Sequence, residues 1–159
     1  MIVFHGSDVI VKSPDVTHSF RSLDFGKGFY VTTNKEQAIR WADRRKEFSG
    51  KDKAYVNIYE LSSDENDLKI KTFPDDLQEW IDFVCDCRDG GTAYLDYDII
   101  KGKVADDKVF RVVDLYHSGV WDKERALSEI KVYQGYDQIA FISQKAINRL
   151  LLFQTAEEV

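Results

Sequence analysis

The sequence predicts an α+β fold, and three observations carry that reading. Ala54 to Leu61 and Leu68 to Phe73 alternate apolar and polar residues, the period of a strand with one wet face. Lys35 to Phe48, and the stretch from Pro74 through Leu77, Trp80, Ile81 and Val84, repeat their apolar residues at helical spacing. These segments do not follow one another in a regular β-α-β rhythm, so a doubly wound parallel sheet is not expected. A chain of 159 residues fits one domain, 1–159, able to bury about 68–70% of its unfolded surface.

Taken in order, Ile2-Val3-Phe4 is a short apolar strand that ends in His5-Gly6-Ser7, where Gly6 lets a ligand approach the backbone. Ser13-Pro14-Asp15 is a turn, and the stretch up to Arg21 is irregular and polar. Gly26-Lys27-Gly28 then forms a permissive turn into the strand Phe29–Thr33, which is aromatic and β-branched. Asn34 caps the helix that follows, and Gly50 closes it. Pro74-Asp75-Asp76 opens the next helix, since proline suits a first turn and acids complement the helix dipole. Asp89-Gly90-Gly91 ends it. Tyr97 to Gly102 is a strand, Lys108 to Tyr116 and Asp122 to Val132 are helices around Gly119, and Tyr133 to Tyr136 is a turn. Asp137 to Ile142 is the last predicted strand, and Ser143 to Leu152 a capped helix.

Composition narrows the function classes. Aromatic residues make up 13% of the chain, too many for a disordered segment. The formal net charge of −6 argues against sequence-blind binding of nucleic acid, which rests on Lys and Arg neutralising phosphates. A single nucleic-acid end or loop entering a local pocket stays open. Cys85 and Cys87 sit too close for a bridge within one regular element and have no zinc-like spacing, so reduced structural thiols and no metal are expected. No apolar stretch approaches the ~20 residues of a membrane helix, and the start of the chain lacks the pattern of a signal peptide. A cytoplasmic protein without membrane contact is expected.

Strand alternation separates Phe29 from Tyr30: one faces the core and the other a cleft, where Trp41 from the next helix can join it. Trp41 serves equally well as the anchor of its helix on the sheet. His18 and His117 read as surface residues, and Arg44 and Arg45 as a solvated helix face. Asp106 and Asp107 stand where a strand meets a helix, as caps or as part of a target or acceptor site.

His5-Gly6-Ser7, the turn Phe25-Gly26-Lys27-Gly28-Phe29-Tyr30 and the polar Gln138 near a late strand together resemble the ADP-ribosyltransferase superfamily. The likeness is greatest to the catalytic domain of poly(ADP-ribose) polymerases, in the clade named for a His-Tyr-Glu triad. Small bacterial domains of unknown function (family 3990) are similar in length and in these motifs. The resemblance implies a split, strongly bent antiparallel sheet with a cleft between its halves, and NAD as the substrate. It implies that His5 bonds a hydroxyl of the adenosine ribose, that the Gly6 backbone holds nicotinamide with Ser7 also at the ligand, and that Tyr30 and Trp41 stack on nicotinamide. Lys27 and Gly28 border the ligand, with Lys27 placed either at the pyrophosphate or in solvent.

Two departures qualify that likeness. Gln138 stands where the triad carries glutamate, and Ala38 where the family carries a serine that binds the carboxamide. A carboxylate stabilises a cation-like sugar far better than an amide does, although an amide still orients a ribose hydroxyl. Asp137 cannot replace it, because neighbouring strand residues face opposite ways. Tyr136 is not the acid or amide that arginine-modifying relatives carry. The implied activity is mono-ADP-ribosyl transfer to a macromolecular target, with Gln138, Tyr30 and His5 as catalytic residues. A bacterial toxin or effector with a neutralising antitoxin protein is the implied setting. NAD glycohydrolysis is one alternative, and a degenerate module that binds NAD or protein is another.

Overall fold

The computed structural model describes residues 1–19, 22–133 and 135–159. The expected irregular stretch before Arg21 includes Phe20 and Arg21, and the expected turn at 133–136 includes Gln134. Those three residues lie outside the described ones.

Helices and strands mix as an α+β fold with two sheets. In the first, β1 (Ile2–Ser7), β3 (Tyr55–Leu61) and β7 (Leu151–Glu158) run antiparallel in the order β1-β3-β7. In the second, β2 (Phe29–Val31), β6 (Asp137–Phe141), β5 (Ile99–Lys103) and β4 (Ile70–Thr72) follow in that order. A bridge joins the two sheets, with Phe4 N donating to Thr32 O at 2.8 Å and Thr32 N to Phe4 O at 2.9 Å.

Pairing is antiparallel apart from one edge of the second sheet, where β4 and β5 are parallel. The chain between them includes α2 (Gln78–Arg88), and a helical crossover returns the chain in the same direction. That helix also starts later than Pro74 suggests. Leu77 holds a positive φ of 60°, ends a turn begun at Pro74 and buries its side chain in the core.

Caps set the other helices where the sequence indicates. Asn34 Oδ1 accepts from Gln37 N at 3.1 Å to start α1 (Lys35–Ser49), and Gly50 ends it in the left-handed region. Asp106 caps α3 (Asp107–His117), Asp122 caps α4 (Lys123–Ile130) and Ser143 caps α5 (Gln144–Leu150). The strand β7 is a correction: the sequence pattern predicts a capped helix or helical turn reaching Leu152 and no strand after it. Its pairing slips in register between Ile58 and Tyr59, and as an edge strand it covers little apolar surface, so alternation there is weak.

Two apolar clusters fill the interior. One packs α2, α3 and α4 around Trp80, Phe25 and Ile100, and takes in Tyr30. The other lies between the sheets and α5 and takes in Val3, Phe29, Tyr59 and Phe141. Phe29 and Tyr30 thus fall into different clusters, as strand alternation requires.

Candidate functional site

A cleft of about 830 Å³ opens between the two sheets and α1. β1 contributes His5, Gly6 and Ser7; β2 contributes Tyr30, β6 contributes Gln138, and α1 contributes Gln37, Arg40 and Trp41. The register of β2 against β6 explains how two distant side chains meet. Tyr30 pairs with Ala140, and Gln138 lies two residues before Ala140 on the same face. Asp137 faces away and binds Thr33 N at 3.2 Å, so it leaves the cleft as expected.

Gly6 has a packing role that its sequence context does not reveal. A Cβ there would lie 1.9 Å from Ala38 O and 2.6 Å from Ala42 N, so only glycine lets α1 cross β1 this closely. Ser7 is buried, and its hydroxyl donates to Asp8 Oδ1 at 3.3 Å. Gly28 lines the cleft and donates its N–H to Ser19 Oγ at 2.9 Å. Lys27 is exposed and does not line the cleft, the solvated of its two expected placements. The ammonium stays in water, where its hydration is kept.

His5 is buried, with its ring stacked on Phe29 at a centroid distance of 4.3 Å. Its Nδ1 lies 2.6 Å from Tyr30 O, which can only accept, so Nδ1 carries the proton. Burial above all, with the neighbouring His18, pulls its pKa down to about 3. His5 is therefore a neutral imidazole whose Nε2 accepts. That acceptor faces His18 Nε2 at 3.2 Å. His18 is accordingly half-buried at the cleft wall, not on the open surface. His117 is exposed and pairs with Asp89 at 2.7 Å.

Tyr30 is buried, and its hydroxyl donates to Gly26 O at 2.6 Å and accepts from Phe25 N at 3.0 Å. Burial, reinforced by nearby Asp24, pushes the phenol well above its usual pKa, so it stays protonated. The turn that receives it needs Gly26, whose φ is 87° and whose Cβ would strike the Tyr94 ring at 2.2 Å. Trp41 is half-buried, lines the cleft and also packs on the helical core cluster.

Gln138 is 3% exposed and donates from Nε2 to Asp24 Oδ2 at 3.0 Å and to Lys103 O at 3.2 Å. Asp24 is the residue that sequence reasoning missed. It is buried in the cleft floor, accepts Ala105 N at 3.0 Å and forms an ion pair with Arg88. Arg88 in turn lies over the Phe110 ring, 3.7 Å from its centroid. Asp24 belongs to the turn segment that leads into Tyr30, yet a loop residue has no periodicity from which to read its direction.

Asp106 is a helix cap, its Oδ1 accepting Val109 N at 3.1 Å. Asp107 is exposed and paired with Arg44 at 2.9 Å. Both line the cleft mouth. Arg44 and Arg45 keep much of their side chains in solvent, as expected, and also line the same mouth, where Arg45 lies 3.8 Å from Asp8. Arg40 sits 5.1 Å from the centre of the Tyr136 ring. Gln37 is buried, and its Oε1 has no hydrogen-bond partner among the described residues. Cys85 and Cys87 are free and buried on α2, their thiols pushed up by burial to about 11 and about 12, as suits structural residues.

A neutral imidazole, a protonated phenol and a carboxamide backed by the Asp24 carboxylate make a cleft floor of fixed donors and acceptors, and the rim mixes Arg40, Arg44 and Arg45 with Asp106 and Asp107. Among the described residues no helix is long and apolar enough to cross a membrane. No match was found among curated proteins or among solved structures. Residues 1–152 match the model of the family described as protein of unknown function (DUF3990), and the chain belongs to that family.

Proposed function

We propose that the chain is an NAD-dependent mono-ADP-ribosyltransferase. One observation carries the reading: His5, Tyr30 and Gln138, the three positions that match the superfamily triad, line a single cleft. In the proposed reaction the bond from the ribose anomeric carbon to nicotinamide breaks, and its electron pair leaves with nicotinamide. A lone pair of the acceptor forms the new bond to that carbon, and the acceptor loses a proton. Tyr30 and Trp41 flank the nicotinamide ring, where aromatic contact adds about 0.5–1.5 kcal/mol beyond burial. His5 Nε2 accepts a ribose hydroxyl in exchange for its bond from His18, and Gln138 meets the sugar at the bond that breaks. Gln37 Oε1 is the natural acceptor for the carboxamide N–H groups, since Ala38 offers no hydroxyl.

The proposed acceptor is a macromolecule, and Asp106 and Asp107 at the mouth are candidates for its contact surface. A bacterial toxin or effector with a neutralising protein partner is the proposed setting. The test is incubation with NAD and mass detection of nicotinamide, with and without cell extract. Release that requires extract supports the transferase, and release in buffer alone identifies a glycohydrolase. No release in either case, with NAD still bound, leaves a binding module and overturns the reading.

A further inference from the structure

We propose that Asp24 is a positioning residue for Gln138: its carboxylate holds the amide nitrogen, so that Oε1 is presented to the cleft as an acceptor for a sugar hydroxyl. The proposal rests on the NAD reading above and adds to it a residue that no triad position supplies.

The geometry fixes the orientation of the amide. Both partners of Gln138 Nε2, the Asp24 carboxylate and the Lys103 carbonyl, can only accept, so the NH₂ group must face them. Oε1 is left without a partner among the described residues, on a side chain that lines the cleft. Asp24 is itself held on every side. Arg88 Nε donates to Oδ1 at 3.1 Å, while Ala105 N and Gln138 Nε2 share Oδ2, each at 3.0 Å. A carboxylate so fully used does not attack a substrate. It draws the N–H toward itself and polarises the amide, which strengthens Oε1 as an acceptor. Through the amide, the cleft receives part of the negative charge that a glutamate would bring directly.

The arrangement also dictates what a glutamate would do at this position. Gln138→Glu replaces a donor with an anion facing Asp24 at hydrogen-bond distance, in a buried place where like charges are not screened. Asp24→Asn turns the partner into a donor for that anion. The pair therefore works as amide on carboxylate, fails as carboxylate on carboxylate, and is partly restored as carboxylate on amide, where the Lys103 carbonyl and the Ala105 N–H keep their original demands.

The experiment uses the full chain with Asp24→Asn, Gln138→Glu and the double substitution, each melted across pH 5 to 8 and assayed for nicotinamide release from NAD. Asp24→Asn is expected to lower kcat on the order of tenfold with KM for NAD nearly unchanged, as for outer partners that orient a reacting group. Gln138→Glu is expected to melt lower, increasingly so as pH rises, and to lose turnover. The double variant is expected to regain part of both relative to Gln138→Glu; if that single variant does not fold, folding of the double is the same rescue. In wild-type protein the Gln138 side-chain NH₂ protons should exchange slowly in NMR spectra. Additive losses in the double variant, a purely KM effect of Asp24→Asn, or rapid NH₂ exchange would each overturn the proposal while an active wild type leaves the NAD reading intact. A wild type that releases no nicotinamide overturns both.

Discussion

His5 and His18 face each other through their Nε2 atoms at 3.2 Å, and the direction of that hydrogen bond is fixed by a third group. Tyr30 O takes the Nδ1 proton of His5, so His5 Nε2 is the acceptor and His18 Nε2 the donor. The pair requires a neutral His5. His18 also has a lowered pKa, from burial first and then from Arg45.

Acid should therefore destabilise the protein through these rings. Both pKa values lie below the ordinary value of 6.5, so the unfolded chain binds protons that the folded chain refuses. Their contribution is fully present above about pH 6.5 and is lost as pH falls toward the folded value, about 3 for His5. The slope reaches at most about 1.4 kcal/mol per pH unit for each ring. Chemical denaturation from pH 7 to pH 5, before carboxylates titrate strongly, should show stability falling. His18→Gln should flatten the slope, and an unchanged slope would refute the assignment.

NAD should raise the melting temperature if it binds only the folded chain, with a gain of about 2.7 kcal/mol at a hundredfold excess over Kd. His5→Ala and Tyr30→Ala should remove most of that shift. Gln138→Ala should keep much of it and lose turnover instead, because interactions made only at the transition state act on kcat. Equal loss of the shift in all three variants would contradict these separate roles.

Gln37 offers a test of ligand orientation that does not involve the reacting bond. Its Oε1 is buried and without a partner among the described residues, a state that costs about 1–3 kcal/mol. Gln37→Leu should stabilise the ligand-free protein while weakening NAD binding. Calorimetry that shows unchanged affinity would exclude Gln37 from the carboxamide site.

Gly6→Ala should damage the fold itself. The new methyl would lie 1.9 Å from Ala38 O, a backbone atom that cannot turn aside. Forced shifts of this kind cost about 1–3 kcal/mol or more. A melting temperature equal to wild type would show that α1 moves away freely.

Much of the cleft was legible because strands impose a period of two. That rule separates Tyr30 from Phe29 and Gln138 from Asp137, while the register of β2 against β6, which no periodicity reveals, brings Tyr30 and Gln138 to one face. Caps at Asn34 and Ser143 announced two helices through local chemistry, and Asp106 offered the same for a third. Asp24 was invisible for the opposite reason: its partners Arg88, Ala105 and Gln138 are 64, 81 and 114 residues away. Pro74 misled because Leu77 adopts a positive φ to reach the core, a tertiary demand that overrides helix-start chemistry. β7 escaped because its pairing across an irregular register with β3 leaves no clean alternation.

The Phe4–Thr32 bridge makes the cleft a sensor of the whole molecule. His5 follows Phe4 on one sheet, while Tyr30 precedes Thr32 by two residues on the other. A ligand that touches both rings therefore spans the seam at which the two sheets join. Separation of the sheets would tear that ligand's contacts apart, so occupancy and sheet cohesion must rise and fall together. Amide exchange should accordingly slow at Phe4 and Thr32 on binding, far more than at the tip of β7.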